Sequence, residues 1–598
     1  MAILETINNC NDVKKLNINE LKTLASEIRE LIIETTKTNG GHLASNLGTV
    51  DLIVALFYVF DFEKDKMIFD VGHQSYAYKI LTDRFKNFSS LRSEDGISGF
   101  PDGFESKYDA FTTGHAGTSI SASLGYCFSR DYLGEDYYVV NLVGDASFFN
   151  GENLEAITYS DKKPNKFLCI FNDNGMSIDK NRNAVYKFVS KVTISKRYNS
   201  FNNFLGNLIG RTWLGKLLMR FKLFIKRSLS LYTILDNVGV KYVGVFDGHD
   251  IKTLIKILKN IKDSSNATLL HLNTKKGKGY YEAEENSSKY HGVSANLEKS
   301  NNEFSNSVSQ ILIDLKQNEN SIVAITAGMK DGVGLTEFAD VYPNSFIDVG
   351  IAEECAVTLA GGMAKGGLKP ILFMYSTFLQ RGYDQILHDI CLQNLPVIIC
   401  IDRAGFVGSD GKTHQGLFDI SYLSHLPNLK IFAPKNTEEL KDALILSLKL
   451  NSPVCIRYPN GVKINLESVI PLSDISWEYV KKGGKNTILA VGPRMNELAL
   501  KVYNEVEDVT VINARTVKPL DASVLLEIKD SNIITLEENA KLGGFGSMVV
   551  NFYKDKGIDA SVKVLAVEDE FIPHATVESQ LKLNGFTVEN IKKLLKLI

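Results

Sequence analysis

Two short apolar runs, Val139-Val140-Asn141-Leu142-Val143 and Phe167-Leu168-Cys169-Ile170-Phe171, each end in a polar cluster. Gly144-Asp145-Ala146 follows the first and Asn172-Asp173-Asn174 follows the second. Runs this short and this apolar read as buried strands of a parallel sheet, and the stretch from Gly151 to Ser160 between them reads as a helix. In such a sheet ligands bind beyond the carboxyl ends of the strands. The spacing therefore predicts that Asp145 and Asn174 project oxygen donors into one crevice, with a small residue at 144 leaving room for a phosphate. That donor set suits an octahedral Mg²⁺ that also holds phosphate oxygens. Ordinary strand-end turns would account for either cluster alone. The pair at this spacing favours the metal.

A chain of 598 residues is too long for one core. Helical and apolar segments alternate throughout, which predicts α/β domains with mostly parallel sheets. A polar stretch at 294–305 and a second break around 471–484 divide the chain into three: 1–300, 306–470 and 480–598. Strands are expected near 322–326, 346–349, 371–374 and 397–401 in the second domain, and near 487–491, 509–512 and 533–536 in the third. A net charge of −3 gives no reason to expect nucleic acid. The seven cysteines are scattered without a C-x-x-C pair, so neither a disulfide framework nor a zinc site is expected. No secretory leader and no apolar run of about 18 residues is present, so a cytoplasmic protein without a membrane span is the expectation. Between Asp179 and Asp236 there are many lysines and arginines and no acid. This basic insertion, about 180–235, reads as helix packed over the core with solvated charges rather than as a membrane-surface element.

Glycine precedes histidine at 41/42, 72/73, 114/115 and 248/249. Glycine keeps the backbone open to a close ligand, and imidazole handles protons near neutral pH. The first three pairs, His42, His73 and His115, point to a shared cleft. The segment 346–362 reads as strand, turn and helix start, with Glu353 and Glu354 in the first turn, where the helix dipole favours an acid. Capping alone would explain them, but Ile351, Ala352 and Ala356 would desolvate a carboxyl there and raise its pKa. The stretches YSTFLQR (375–381), DRAGFVGSDGKTHQG (402–416) and IRYP (456–459) each follow an expected strand. Arg381, Arg403 and Arg457 are suited to bidentate phosphate contacts, with Asp410 and His414 as polar groups for substrate hydroxyls.

Six stretches carry a family resemblance: GGHLASNLGTVDL (40–52), FDVGHQSYAYKIL (69–81), YDAFTTGHAGTSISASLG (108–125), DVGIAEECAV (348–357), YSTFLQRGYDQILHD (375–389) and DRAGFVGSDGKTHQG (402–416). From about Leu16 onward the chain resembles the 1-deoxy-D-xylulose-5-phosphate synthase family, thiamine diphosphate enzymes of transketolase-like fold. The resemblance implies a diphosphate-binding domain at 1–300, a pyrimidine-binding domain at 306–470 and a C-terminal transketolase-like domain at 480–598. It implies pyruvate and D-glyceraldehyde 3-phosphate as substrates, thiamine diphosphate and Mg²⁺ as cofactors, and a homodimer with the site built between the first two domains. By position, Asp145, Asn174 and the Met176 carbonyl would hold the metal. His73, Gly114, His115, Ala116, Ala146, Ser147 and Tyr280 would contact the cofactor, with Phe378 stacked on its aminopyrimidine and Glu353 at its N1′ nitrogen. His42, His291 and His414 are similar to the family's proton-handling and substrate histidines. Tyr375, Arg381, Arg403 and Arg457 would grip the aldehyde's phosphate, and Asp410 and His414 its hydroxyls. Three departures fall in the expected cofactor pocket. Ala146 stands for Gly, Ala116-Gly117 for a Ser-Ser pair, and Glu354-Cys355 for Gln-His. They keep two alternatives in view: a related thiamine enzyme with another donor or acceptor, and a weakened regulatory paralogue.

Overall fold

The structure, a computed structural model, describes residues 2–159, 163–174, 239–295, 302–462, 466–467 and 470–596. Met176 and the basic insertion at 180–235 lie outside the described residues. The chain forms two compact units, Met1–Glu298 and Lys299–Ile598.

The first unit holds strands β1 (Lys66–Phe69), β2 (Val139–Gly144), β3 (Phe167–Asp173), β4 (Lys241–Asp247) and β5 (Thr268–Asn273). They form one parallel sheet in the order β1-β2-β3-β5-β4. Both faces of this sheet are covered, which is why β2 and β3 read as continuous apolar runs rather than as alternating ones. Their side chains divide by parity between two cores. Val140, Leu142, Leu168 and Ile170 pack with the helices Ile18–Asn39, Val50–Val59 and Ile251–Ser264. Val139, Val143, Phe167, Cys169 and Phe171 pack with Ser119–Leu133 and Gly151–Thr158. The first long helix starts on a capping box: Asn17 accepts the Asn19 and Glu20 N–H groups, and Glu20 returns a bond to the Asn17 N–H.

The second unit contains β6 (Ile322–Thr326), β7 (Phe346–Asp348), β8 (Lys369–Tyr375), β9 (Ile398–Asp402), β10 (Lys430–Phe432) and β11 (Val454–Arg457). After these come β12 (Glu478–Lys481), β13 (Asn486–Ala490), β14 (Val509–Asn513), β15 (Thr516–Lys518), β16 (Asn532–Ala540) and β17 (Val562–Val567). Two sheets result, ordered β15-β10-β11-β9-β8-β6-β7 and β12-β14-β13-β16-β17. All pairings are parallel except β10–β15 and β12–β14, which close one edge of each sheet. Seven strands expected from the sequence in this unit are present. The polar stretch at 294–305 is shorter as a connection than expected, because a helix already begins at Glu303.

One connection was not visible in the sequence. β15 leaves the third sheet directly after β14 and pairs antiparallel with β10 of the second sheet, Phe432 opposite Thr516. A buried charge cluster lies beneath this crossing. Lys435 Nζ bonds the Glu478 carboxylate and sits 3.7 Å from Glu439. Asn513 Nδ2 donates to Glu439 at 2.9 Å and to Glu478 at 3.2 Å, and Arg515 Nη1 lies 3.5 Å from Glu439. Two carboxylates thus face two cations with almost no solvent access. Removing one member of such a group leaves an uncompensated buried charge. Lys435→Met is therefore expected to destabilise the second unit by about 3–5 kcal/mol. Urea unfolding measures this; a midpoint equal to that of the parent protein would contradict it.

Candidate active site

In the first unit the carboxyl ends of adjacent strands place the metal candidates side by side. Gly144 of β2 is in register with Asn172 of β3, so Asp145 and Asn174 leave neighbouring strand ends. A side chain added at Gly144 would meet nothing within 4 Å, so the space in front of this strand end is open. Asp145 is buried, and its Oδ2 has no hydrogen-bond partner. Burial raises its pKa, the Asp173 carboxylate adds to the rise, and Lys276 opposes it. Ala146 lies in the helical turn Asp145–Phe148 and is not among the residues of positive φ, so its methyl group is accommodated.

Asp70, at the end of β1, organises the neighbouring loop. Its carboxylate accepts the Gly117 N–H at 3.0 Å, the Ser119 N–H at 3.3 Å and Asn153 Nδ2 at 3.1 Å. Asn153 in turn donates to the Ser147 carbonyl and accepts the Ile120 N–H. One carboxylate–amide pair therefore fixes both the segment following Gly114, His115 and Ala116 and the turn bearing Ala146 and Ser147.

His42, His73 and His291 converge, and the fourth Gly-His pair is an exception. The His42, His73 and His291 rings lie 5.5 to 5.8 Å apart, centre to centre. A two-way backbone bridge between Gly41 and Val293 brings the segments of His42 and His291 together. Asn46 Nδ2 donates to the carbonyls of His42 and His73, and Ser45 Oγ lies 3.2 Å from His291 Nδ1. Burial pushes the His73 and His291 imidazoles well below the usual histidine range, and Lys276 and the adjacent rings push the same way. Both are therefore neutral at neutral pH. The exception is His249, whose pair at 248/249 resembled the others in sequence. Its Nδ1 is 2.9 Å from Asp51 and its Nε2 accepts the Lys275 N–H, which leaves it a structural role. Tyr280 packs edge-on to Tyr290 beneath the Lys37 ammonium.

In the second unit Glu353 opens the helix Glu353–Lys365 and is 4 % exposed, with Oε2 lacking a hydrogen-bond partner. Burial pushes its carboxyl up to about 7. Its own helix N-terminus and Arg381 act against the rise, and Glu354 adds a little to it. Cys355, the other departure there, is exposed. The Tyr375 and Phe378 rings stack at 5.6 Å, His414 meets Phe378 edge-on at 5.6 Å, and the Arg403 guanidinium lies 3.6 Å over the Tyr375 ring. Burial raises the Tyr375 phenol to about 12, countered by Arg403 and reinforced in part by Asp410. Tyr375, Phe378, Arg403, Asp410 and His414 thus form one cluster. Arg457 has a different setting: it is buried, with Nε 3.1 Å from Asp419 and Nη2 donating to the Glu538 carbonyl.

Sequence reasoning passed over Asp70, Asn153, Lys276 and Asp419. Lys276 had a signal, since it belongs to a basic glycine-bearing run, Lys275-Lys276-Gly277-Lys278-Gly279, directly after β5. The other three look like ordinary polar residues along the chain.

A thiamine diphosphate–metal group fits these residues on two counts. Among the described residues, two buried carboxyl oxygens, on Asp145 and Glu353, lack a hydrogen-bond partner, and the donors at 145 and 174 are hard oxygens. Among the described residues no group of three or more His, Cys, Asp or Glu side chains is placed to hold a metal by itself.

Comparison with known proteins agrees. Residues 4–274 match the family model of 1-deoxy-D-xylulose-5-phosphate synthase, 302–462 the transketolase pyrimidine-binding domain and 476–591 the transketolase C-terminal domain. The chain is 44% identical over 607 residues to the 1-deoxy-D-xylulose-5-phosphate synthase of Clostridium tetani, covering 98% of each. It is likewise 44% identical over 610 residues to that of Carboxydothermus hydrogenoformans, again 98% of each. A solved transketolase from Campylobacter jejuni aligns with 98% of this chain and 100% of its own, at 17% identity and a TM-score of 0.44. With mostly parallel α/β sheets, these family-model matches and this identity over nearly its whole length, the chain belongs to the 1-deoxy-D-xylulose-5-phosphate synthase family.

Proposed function

We propose that this chain condenses pyruvate, with loss of CO₂, with D-glyceraldehyde 3-phosphate to give 1-deoxy-D-xylulose 5-phosphate. This is the opening step of the methylerythritol phosphate route to isoprenoids and a supply for thiamine and pyridoxal synthesis. The observation that carries the reading is Glu353, a buried, partnerless carboxyl raised to about 7 in a chain of this family. Thiamine diphosphate supplies, when bound, the carbon centre that adds to a 2-oxo acid and holds the electron pair left by CO₂. Glu353 keeps a proton available at the N1′ position of its aminopyrimidine. Asp145 and Asn174, with the Met176 carbonyl, hold Mg²⁺, and His115, Ala116 and Ser147 line the diphosphate side together with Gly114, Ala146 and Tyr280. His42 and His291 handle protons beside the cofactor, and His73 contacts it. Arg403 and Arg381 grip the acceptor's phosphate alongside Tyr375, with Arg457 behind them. Asp410 and His414 bind its hydroxyls. The assignment carries with it three domains, at 1–300, 306–470 and 480–598, in a cytoplasmic homodimer. No helix among the described residues is long and apolar enough to cross a membrane.

The direct test is purified protein with thiamine diphosphate, Mg²⁺ and both substrates. Labelled CO₂ and deoxyxylulose phosphate are expected in equal amounts; formation of neither removes the reading. Glu353→Ala is expected to abolish turnover while leaving cofactor affinity within about tenfold, because metal and pyrimidine contacts are separate.

The same carboxyl costs stability. Its ordinary value is 4.5 and its folded value about 7, so between these the fold keeps a proton that the unfolded chain has lost. Stability therefore falls as pH rises through that window, and the full penalty, at most about 3 kcal/mol, applies above it. Glu353→Gln is expected to be more stable than the parent at pH 8, with the gap closing toward pH 4.5. Thermal melts across that range measure it; equal melting temperatures at pH 8 would show that the carboxyl is not held at a penalty.

A further inference from the structure

The segment 402–416 carries Arg403, Asp410 and His414, yet its shape is set largely by side chains from beyond residue 480. Its base is closed by a reciprocal backbone pair between Gly405 and Gly416. Flanking the segment's ends, Phe406 and Leu417 are buried in the core of the third sheet, among Ile488, Ala490, Ile534 and Leu536. Along the segment glycines recur every third residue, at 405, 408 and 411, all with positive φ. Each faces a different part of the C-terminal region. A side chain at Gly405 would meet Glu538 at 2.8 Å, one at Gly408 would meet Val577 at 3.3 Å, and one at Gly411 would meet His574 at 2.9 Å.

Gln580 closes this arrangement. It is 1 % exposed, accepts the Gly408 N–H at 3.0 Å, and donates to the Gly408 carbonyl at 3.1 Å and the Pro573 carbonyl at 2.8 Å. A side-chain amide that satisfies both backbone groups of one residue acts like a strand partner, fixing position and orientation together. Gln415 adds a second tie, accepting the Val407 N–H at 3.0 Å and donating to the Ile572 carbonyl at 3.4 Å. Glu538 supplies a third tie, through the Phe406 N–H at 3.3 Å and Arg494 at 2.7 Å.

We infer that Gln580 is a positioning residue for the aldehyde acceptor: through Gly408 it holds the segment that presents Arg403, Asp410 and His414. This rests on the functional reading above and assigns the C-terminal domain a part in recognising the acceptor, although none of the expected site residues lies in that domain. Because a misplacement of about 1 Å can cost about a hundredfold, loosening this amide should show in acceptor binding.

The test compares the parent enzyme with Gln580→Met, which keeps length and bulk but loses all three hydrogen bonds, and with Gln580→Ala. The KM for glyceraldehyde 3-phosphate is expected to rise about tenfold or more in both. The KM for pyruvate and the affinity for thiamine diphosphate, read by intrinsic fluorescence, should stay within about twofold. Hydrogen exchange over 403–416 should speed up in both variants, a readout independent of turnover. An unchanged acceptor KM in an active Gln580→Met enzyme, or a fall in kcat alone with unaltered exchange, overturns the inference and leaves the function standing. If the parent makes no product, the functional reading falls, and unaltered exchange in Gln580→Met would still refute the positioning role. Should Gln580→Ala not fold, Gln580→Met decides.

Discussion

The Asp70 carboxylate is the point on which the first unit's ligand side depends. It sits at the end of an edge strand, yet through three accepted hydrogen bonds it fixes the start of the helix Ser119–Leu133 and, by way of Asn153, the turn after β2. Without it the loop bearing Gly114 and His115 would have several buried N–H groups and no acceptor for them. The same economy appears beside Glu353 and Asp145, where the protein leaves buried carboxyl oxygens without partners. In a folded protein nearly every buried polar atom is satisfied, so such exceptions mark places where a ligand completes the structure.

Much of this was legible in the sequence, because the chemistry sits at strand ends and strands advertise themselves. β2 and β3 are apolar on both faces, so their ends, and hence Asp145 and Asn174, could be located to a residue. Tyr375, Arg403 and Glu353 were found in the same way. Residues whose role depends on another chain segment were harder to read. His249 follows a glycine as His42 and His73 do, and only the fold shows its ring spent on Asp51 and a backbone amide. Arg457 ends a strand as Arg403 nearly does, but Asp419, which occupies it, is 38 residues away. Asp70 and Gln580 carry no local signal, since most of their partners are backbone atoms far along the chain and any sequence supplies those.

Two of the three departures from the family pattern, Ala146 and Glu354-Cys355, also take on physical content. Ala146 costs nothing, because its turn is right-handed. The Glu354 charge acts on Glu353 in the direction that favours a protonated carboxyl, and it is the smallest of the influences there. Cys355 faces solvent, so its chemistry is separated from that of the carboxyl two residues earlier. Each change is thus absorbed by local geometry, in line with a working site.

The crossing of β15 has a consequence for how the gene can be divided. Any cut that removes the region from about residue 480 onward also strips the outermost strand from the second sheet, exposing the backbone edge of β10. An open edge of this kind invites pairing with other chains. Shuffling the C-terminal domain between relatives must therefore carry β10's complement with it. The natural module for recombination is the whole second unit, though the sequence reads as two domains there.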